Sequence, residues 1–199
     1  QGYSSAASDV YKRQMINPIN IYKHLRTVGR HRREVMKNCF RAGLYWQGLT
    51  HDLSKYSPEE FWISCKMYQG TRSPNEAERE LKGYSTAWMH HKGRNKHHFE
   101  YWNDYSPKTK RNEAVKMPLI YVAEMFCDRV AASKIYMGEN YTDASPLAYY
   151  RRGNAAQRLI HPDTAKLIEM LLVMLAEEGE DYTFAYIRHI CLLYTSDAA

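Results

Sequence analysis

The 199-residue chain is 44% apolar and 25% charged, with four cysteines, nine histidines and a formal net charge of +6. That apolar share supports a buried core and argues against disorder, and the length suits one domain. No apolar run approaches the roughly 20 residues that span a bilayer, no signal-peptide pattern opens the chain, and Cys39, Cys65, Cys127 and Cys191 form no CxxC pair. The sequence therefore predicts a reduced, cytoplasmic protein with no membrane partner.

The two ends read as foreign. Residues 4–14 and Cys191–Ala199 can be encoded by one DNA element in opposite orientations, and that element resembles a transposase-based sequencing adapter. Residues 1–14 and 191–199 are therefore expected to be non-native tails around a single domain, 15–190, that begins at Met15. The tails hold two basic and two acidic residues, so the charge of +6 belongs to the domain. It points to an anionic partner, either a phosphorylated small molecule or nucleic acid.

The predicted elements are helical throughout. Ile19 to Phe40 carries Ile21, Leu25, Val28, Val35 and Cys39 as a helical stripe. Gly43 and Gly48 bracket a short helical piece that runs into His51-Asp52-Leu53-Ser54-Lys55. Ser57-Pro58-Glu59-Glu60 is a helix start, with a capping Ser, Pro in the first turn and Glu three residues on, and predicts a helix to Gly70. Ser73-Pro74-Asn75-Glu76 repeats the signal, Gly83 breaks the helix it opens, and Tyr84 to His91 reads as a further short helix. After a Gly93-Arg94-Asn95 turn, His97 to Trp102 resumes helix. Pro118 opens the most apolar helix, Leu119 to Met137, which Gly138 stops. A Tyr- and Asp-rich loop leads to a last helix, Pro162 to Glu178, and Thr183 to Ile190 adds a turn or two. No alternating strand pattern is found, so the expected class is all-α.

Six of the nine histidines, His31, His51, His90, His91, His97 and His98, sit near features that suit a site. In His51-Asp52 a neutral imidazole and a carboxylate can face one ion where a helix ends, and Lys55 lies one turn on, within reach of a phosphate oxygen. Asp128 lies among Val122, Met125, Cys127 and Val130, where an unpaired carboxylate is costly; it faces either a cation or a basic side chain. Four imidazoles within His90–His98 exceed what a basic surface loop needs. Trp46, Trp62, Trp88 and Trp102 are expected in the core or a pocket wall, and His24, His161 and His189 as ordinary histidines.

A His on one helix, a His-Asp pair on the next and a later Asp on an apolar helix resemble the HD superfamily of metal-dependent phosphohydrolases. The chain is also similar to a bacterial and phage family of unknown function, from which no activity carries over. The HD resemblance implies an HD-type helical bundle with His31, His51, Asp52 and Asp128 as metal ligands. His91 would be a further ligand if a second ion is bound. Its two-metal members usually carry another separate His, and 53–89 contains none, so His97 or His98 fills that role or one ion is held. The implied cofactor is one or two divalent ions (Mn, Mg, Fe, Co or Zn). The implied reaction is hydrolysis of a nucleotide or other small phosphate ester. Lys55, Lys92, Arg94 and Asn95 would meet substrate, and His90 or His97 would move the proton; Glu59 is a candidate to orient a ligand His. Two rivals stand beside this reading: an HD-fold di-iron oxygenase, and a non-enzymatic basic helical protein that binds nucleic acid.

Overall fold

A computed structural model describes residues 17–70, 73–153 and 159–196. The predicted tail 1–14 lies outside these residues, as does the end of the other tail beyond Ser196. Among the described residues the chain is all-α apart from one two-stranded hairpin. The helices are α1 (Pro18–Arg41), α2 (Tyr45–Thr50), α3 (Pro58–Met67) and α4 (Pro74–Lys82), followed by α5 (Thr86–Lys92), α6 (Leu119–Met137), α7 (Ser145–Arg152) and α8 (Pro162–Ser196). Strands β1 (Asn103–Ser106) and β2 (Arg111–Ala114) pair antiparallel, with Ser106 opposite Arg111. None of these helices is long and apolar enough to cross a membrane.

The chain packs as two units. Among the described residues, one contains residues 17–30 together with those of Asp52–Arg94; the other contains His31–His51 and those from Asn95 onward. In the first unit α3 packs on α4, on α5 and on a 3-10 turn at Leu53–Tyr56. Helices α3 and α4 begin where the sequence predicts. Pro58 and Pro74 occupy first-turn positions that need no N–H donor, and Ser73 Oγ accepts from the Asn75 N–H. Gly83 closes α4 with φ 83°, which glycine adopts without a Cβ clash.

In the second unit α8 packs on α6 and α7. The core joins Val35 and Cys39 of α1, Val122, Phe126 and Val130 of α6, and Ile168, Leu171, Leu172, Leu175, Phe184 and Ile187 of α8. Each such large apolar side chain contributes about 1.5–3 kcal/mol on burial. Helix α6 spans the predicted residues, bounded by Pro118 and Gly138.

Several elements differ from the sequence expectation. Helix α8 continues past Glu178 through a break at Gly179 (φ 81°, ψ 177°). There Glu180 accepts from Arg41 at 2.6 Å and pairs with Lys134 at 2.5 Å, which anchors the chain as it re-enters helix. The continued helix carries Cys191, expected in a foreign tail, into the buried core. A helix, α7, stands in the predicted loop, and a hairpin follows Trp102 where no strand was expected. Trp46 is 72% exposed and Trp62 45%, so neither lies in a core. The four cysteines are buried free thiols.

Candidate metal centre

In the second unit three elements bring one group together. His31 lies on α1, Asp128 on α6, and His51 at the C-terminal cap of α2. The His51 position follows from helix-end chemistry. Its N–H closes the last turn on the Gln47 carbonyl at 2.8 Å. Arg32 then donates to the His51 carbonyl at 2.8 Å and to the Leu49 carbonyl at 3.1 Å, satisfying acceptors that the helix end leaves open. Asn38 donates to the Cys127 carbonyl at 3.1 Å and ties α1 to α6 beside the group.

His31 Nε2 lies 2.9 Å from Asp128 Oδ1, and His51 Nε2 lies 3.7 Å from the same oxygen. Burial alone would raise the Asp128 carboxyl, but the hydrogen bond from His31, with His51 close by, outweighs it and holds the group well below the ordinary carboxylate range. One ligand atom from each of His31, His51 and Asp128 lies within 4.8 Å of the others, so the three could hold a metal ion.

Glu124 lies one helical turn before Asp128 on the same face of α6. Its Oε1 accepts from His51 Nδ1 at 2.9 Å and lies 3.1 Å from His97 Nδ1. Burial would raise the Glu124 carboxyl; the His51 and His97 hydrogen bonds reverse that and keep it ionised. An ionised carboxylate only accepts, so both rings carry their proton on Nδ1 and present Nε2. Glu124, His51 and His97 also satisfy the spacing of a metal group, but their contacts have hydrogen-bond lengths. This Glu-His contact is the outer support that a ligand His commonly has.

The first unit holds the other predicted residues. Asp52 adopts the left-handed region (φ 55°), which Asp tolerates better than most residues, and caps the 3-10 turn that bears Lys55. Asp52 Oδ2 pairs with Lys55 Nζ at 2.6 Å, and Oδ1 lies 3.3 Å from His91 Nε2. Glu60 holds both adjacent imidazoles, His90 Nδ1 at 2.7 Å and His91 Nδ1 at 2.8 Å. Burial lowers the His91 pKa, but the Asp52 charge and hydrogen bonds to Asp52 and Glu60 raise it overall. The helix bearing the pair is itself anchored: buried Glu78 accepts from Ser85 Oγ at 2.7 Å, Thr86 Oγ1 at 2.8 Å and the Ala87 N–H at 3.3 Å.

The predicted residues thus divide between the units. His31, His51, His97 and Asp128 meet in one; Asp52, Lys55, His90 and His91 meet in the other. Lys92 is half-buried and Arg94 exposed at the end of the first unit, whereas Asn95 is buried in the second. The orienting role expected of Glu59 falls to Glu60, because Glu59 is exposed and its carboxylate lies 3.9 Å from His90 Nε2. Sequence reasoning missed Glu60 and Glu124. Glu124 sits between buried Ala123 and Met125, the same signal that singled out Asp128.

Residues 20–174 match the profile of a family described as of unknown function (DUF5662). No curated protein and no solved structure matches the chain.

Proposed function

The chain belongs to DUF5662, a family that brings no assigned activity with it, and from its own residues we propose that it is a metal-dependent phosphohydrolase acting on a nucleotide or other small phosphate ester. The observation that supports this reading is the convergence of His31, His51 and Asp128 with the second nitrogen of His51 held by Glu124. The order of these residues in the chain is also that of the HD superfamily. Two neutral imidazoles and one carboxylate are a donor set for a first-row divalent ion.

A divalent ion held by His31, His51 and Asp128 would supply Lewis acidity and would lower the pKa of water. The surrounding residues do the positioning. Glu124 fixes the tautomer of His51, so that Nε2 faces Asp128. His31 would hold the ion through the Nε2 that here lies 2.9 Å from Asp128, with its ring proton on Nδ1. His97, with Nδ1–H on Glu124, keeps Nε2 to accept or return a proton. Within the first unit Asp52, the fourth ligand the resemblance implies, is paired with Lys55.

The test is elemental analysis of the purified protein, then assay of nucleotides and phosphate esters with Mn²⁺, Mg²⁺, Fe²⁺, Co²⁺ or Zn²⁺. Copurifying metal, lost in His51→Ala and Asp128→Ala with helicity intact, and metal-dependent phosphate release are expected. A folded, metal-free protein that takes up none of these ions contradicts the reading. The same two-His, one-carboxylate set favours a second reading, iron-dependent oxygen chemistry. Iron-specific loading with oxygen uptake and no phosphate release would establish that one instead.

A further inference from the structure

The β1–β2 hairpin has no role in the metal centre, and three of its features together point outward. Its strands are solvated on both faces: six of the eight strand residues are exposed, and Ser106 and Ala114 are half-buried. At its base the Val115 N–H donates to the Trp102 carbonyl at 2.7 Å and Asn103 Nδ2 to the Phe99 carbonyl at 3.2 Å. Its far end concentrates charge. Lys108, Lys110 and Arg111 fall within four residues, all are exposed, and no ion pair is found for them among the described residues. Finally, the turn is closed by the Lys110 N–H on the Ser106 carbonyl at 2.9 Å with Lys110 at φ 59°. Glycine or asparagine would relieve that left-handed conformation, so a lysine is held there at a cost in backbone strain.

We propose that this hairpin is an arm that binds the phosphate backbone of double-stranded DNA without reading sequence. A two-stranded ribbon fits the major groove of B-form DNA, roughly 12 Å wide, whereas the narrow major groove of A-form RNA excludes it. The tip, Pro107-Lys108-Thr109-Lys110, offers no large apolar side chain to enter a membrane. Along the shaft Asp104 stands opposite Glu113 and repels phosphate, which confines contact to the three cations at the end. The arm goes beyond the hydrolytic reading and does not depend on it.

The test is fluorescence anisotropy with a random-sequence DNA duplex, in chelator, between 50 and 200 mM salt. Three phosphate contacts predict a slope of log K against log salt of about −2.7, or about a 40-fold loss of affinity over that range. Lys108→Ala/Lys110→Ala/Arg111→Ala should flatten the slope by that amount. Lys23→Ala/Arg26→Ala/Arg33→Ala, which removes the same charge from exposed positions of α1, should flatten it far less. Lys110→Gly separates strain from binding: it should raise the melting temperature yet flatten the slope by about 0.9. Equal effects of the two triple variants, an unchanged slope in Lys110→Gly, or loss of binding only to phosphatidylserine vesicles or duplex RNA would overturn the proposal.

Discussion

Replacing Glu124 by Gln tests whether the carboxylate supports a metal ligand or merely fills the core. The amide is nearly isosteric and keeps one acceptor oxygen, so packing around Ala123, Met125 and Phe126 is preserved. What is lost is the charge that strengthens two contacts, 2.9 Å to His51 Nδ1 and 3.1 Å to His97 Nδ1. A charge-assisted hydrogen bond is worth about 1.5–3 kcal/mol against about 1 kcal/mol for a neutral one, so each contact weakens by about 1 kcal/mol. The His51 share acts on the ligand nitrogen directly, because a less polarised ring is a weaker donor and is free to turn. Loss of such an outer partner typically lowers metal affinity about 10–100-fold, equivalent to about 1.4–2.8 kcal/mol. The assay is competition between the protein and a chromophoric chelator for Co²⁺ or Mn²⁺, with circular dichroism as the check on folding. Glu113→Gln, an exposed change on β2, is the control and should leave affinity unchanged. Equal affinity in Glu124→Gln and wild type would refute the reasoning and reduce Glu124 to a packing residue.

Further outcomes rest on the same kinds of interaction. Burial among Phe61 and Tyr68, with the nearby Lys55 charge second, pushes the His24 pKa down from 6.5 to about 4. The unfolded chain then binds the proton more readily, so this contribution is complete above pH 6.5 and is lost as pH falls toward 4, a total of about 3 kcal/mol. Denaturant titrations between pH 7 and 4 should show that slope, and His24→Phe should flatten it. Glu78→Ala leaves the start of α5 without its acceptor and should cost about 2–3 kcal/mol by chemical denaturation; a loss below about 0.5 kcal/mol would contradict the anchoring role. Gly179→Ala forces a side chain into a conformation reserved for glycine, with its Cβ 3.4 Å from Asp143 Oδ2, and should destabilise by about 1–3 kcal/mol in the same measurement.

The parts of the fold legible in the sequence are those with local signals. Pro118 and Gly138 delimit α6, and the two Ser-Pro-x-Glu starts mark α3 and α4, because helix ends are decided within a few residues. The hairpin carried no such signal. Asn103–Ala114 alternates polar with polar, since both faces meet water, and strand recognition depends on one face being apolar. The continuation of α8 was hidden because Glu177-Glu178-Gly179 looks like a solvated stop, whereas Arg41 and Lys134, distant in sequence, hold Glu180. At the candidate site the histidines and Asp128 stood out by type and spacing. Glu60 did not, because a glutamate in a first helical turn is usually solvated; Glu124 shared the apolar neighbours of Asp128, but only tertiary packing brings it to His51 and His97.

The most direct measurement is anomalous diffraction at the absorption edge of the bound metal, on crystals of the Mn²⁺- or Co²⁺-loaded protein. The account predicts a peak within about 2.0–2.3 Å of His31 Nε2, His51 Nε2 and an Asp128 oxygen, with Glu124 still bonded to His51 Nδ1. A peak at other residues, or a loaded protein in which His31 still donates directly to Asp128, would contradict it.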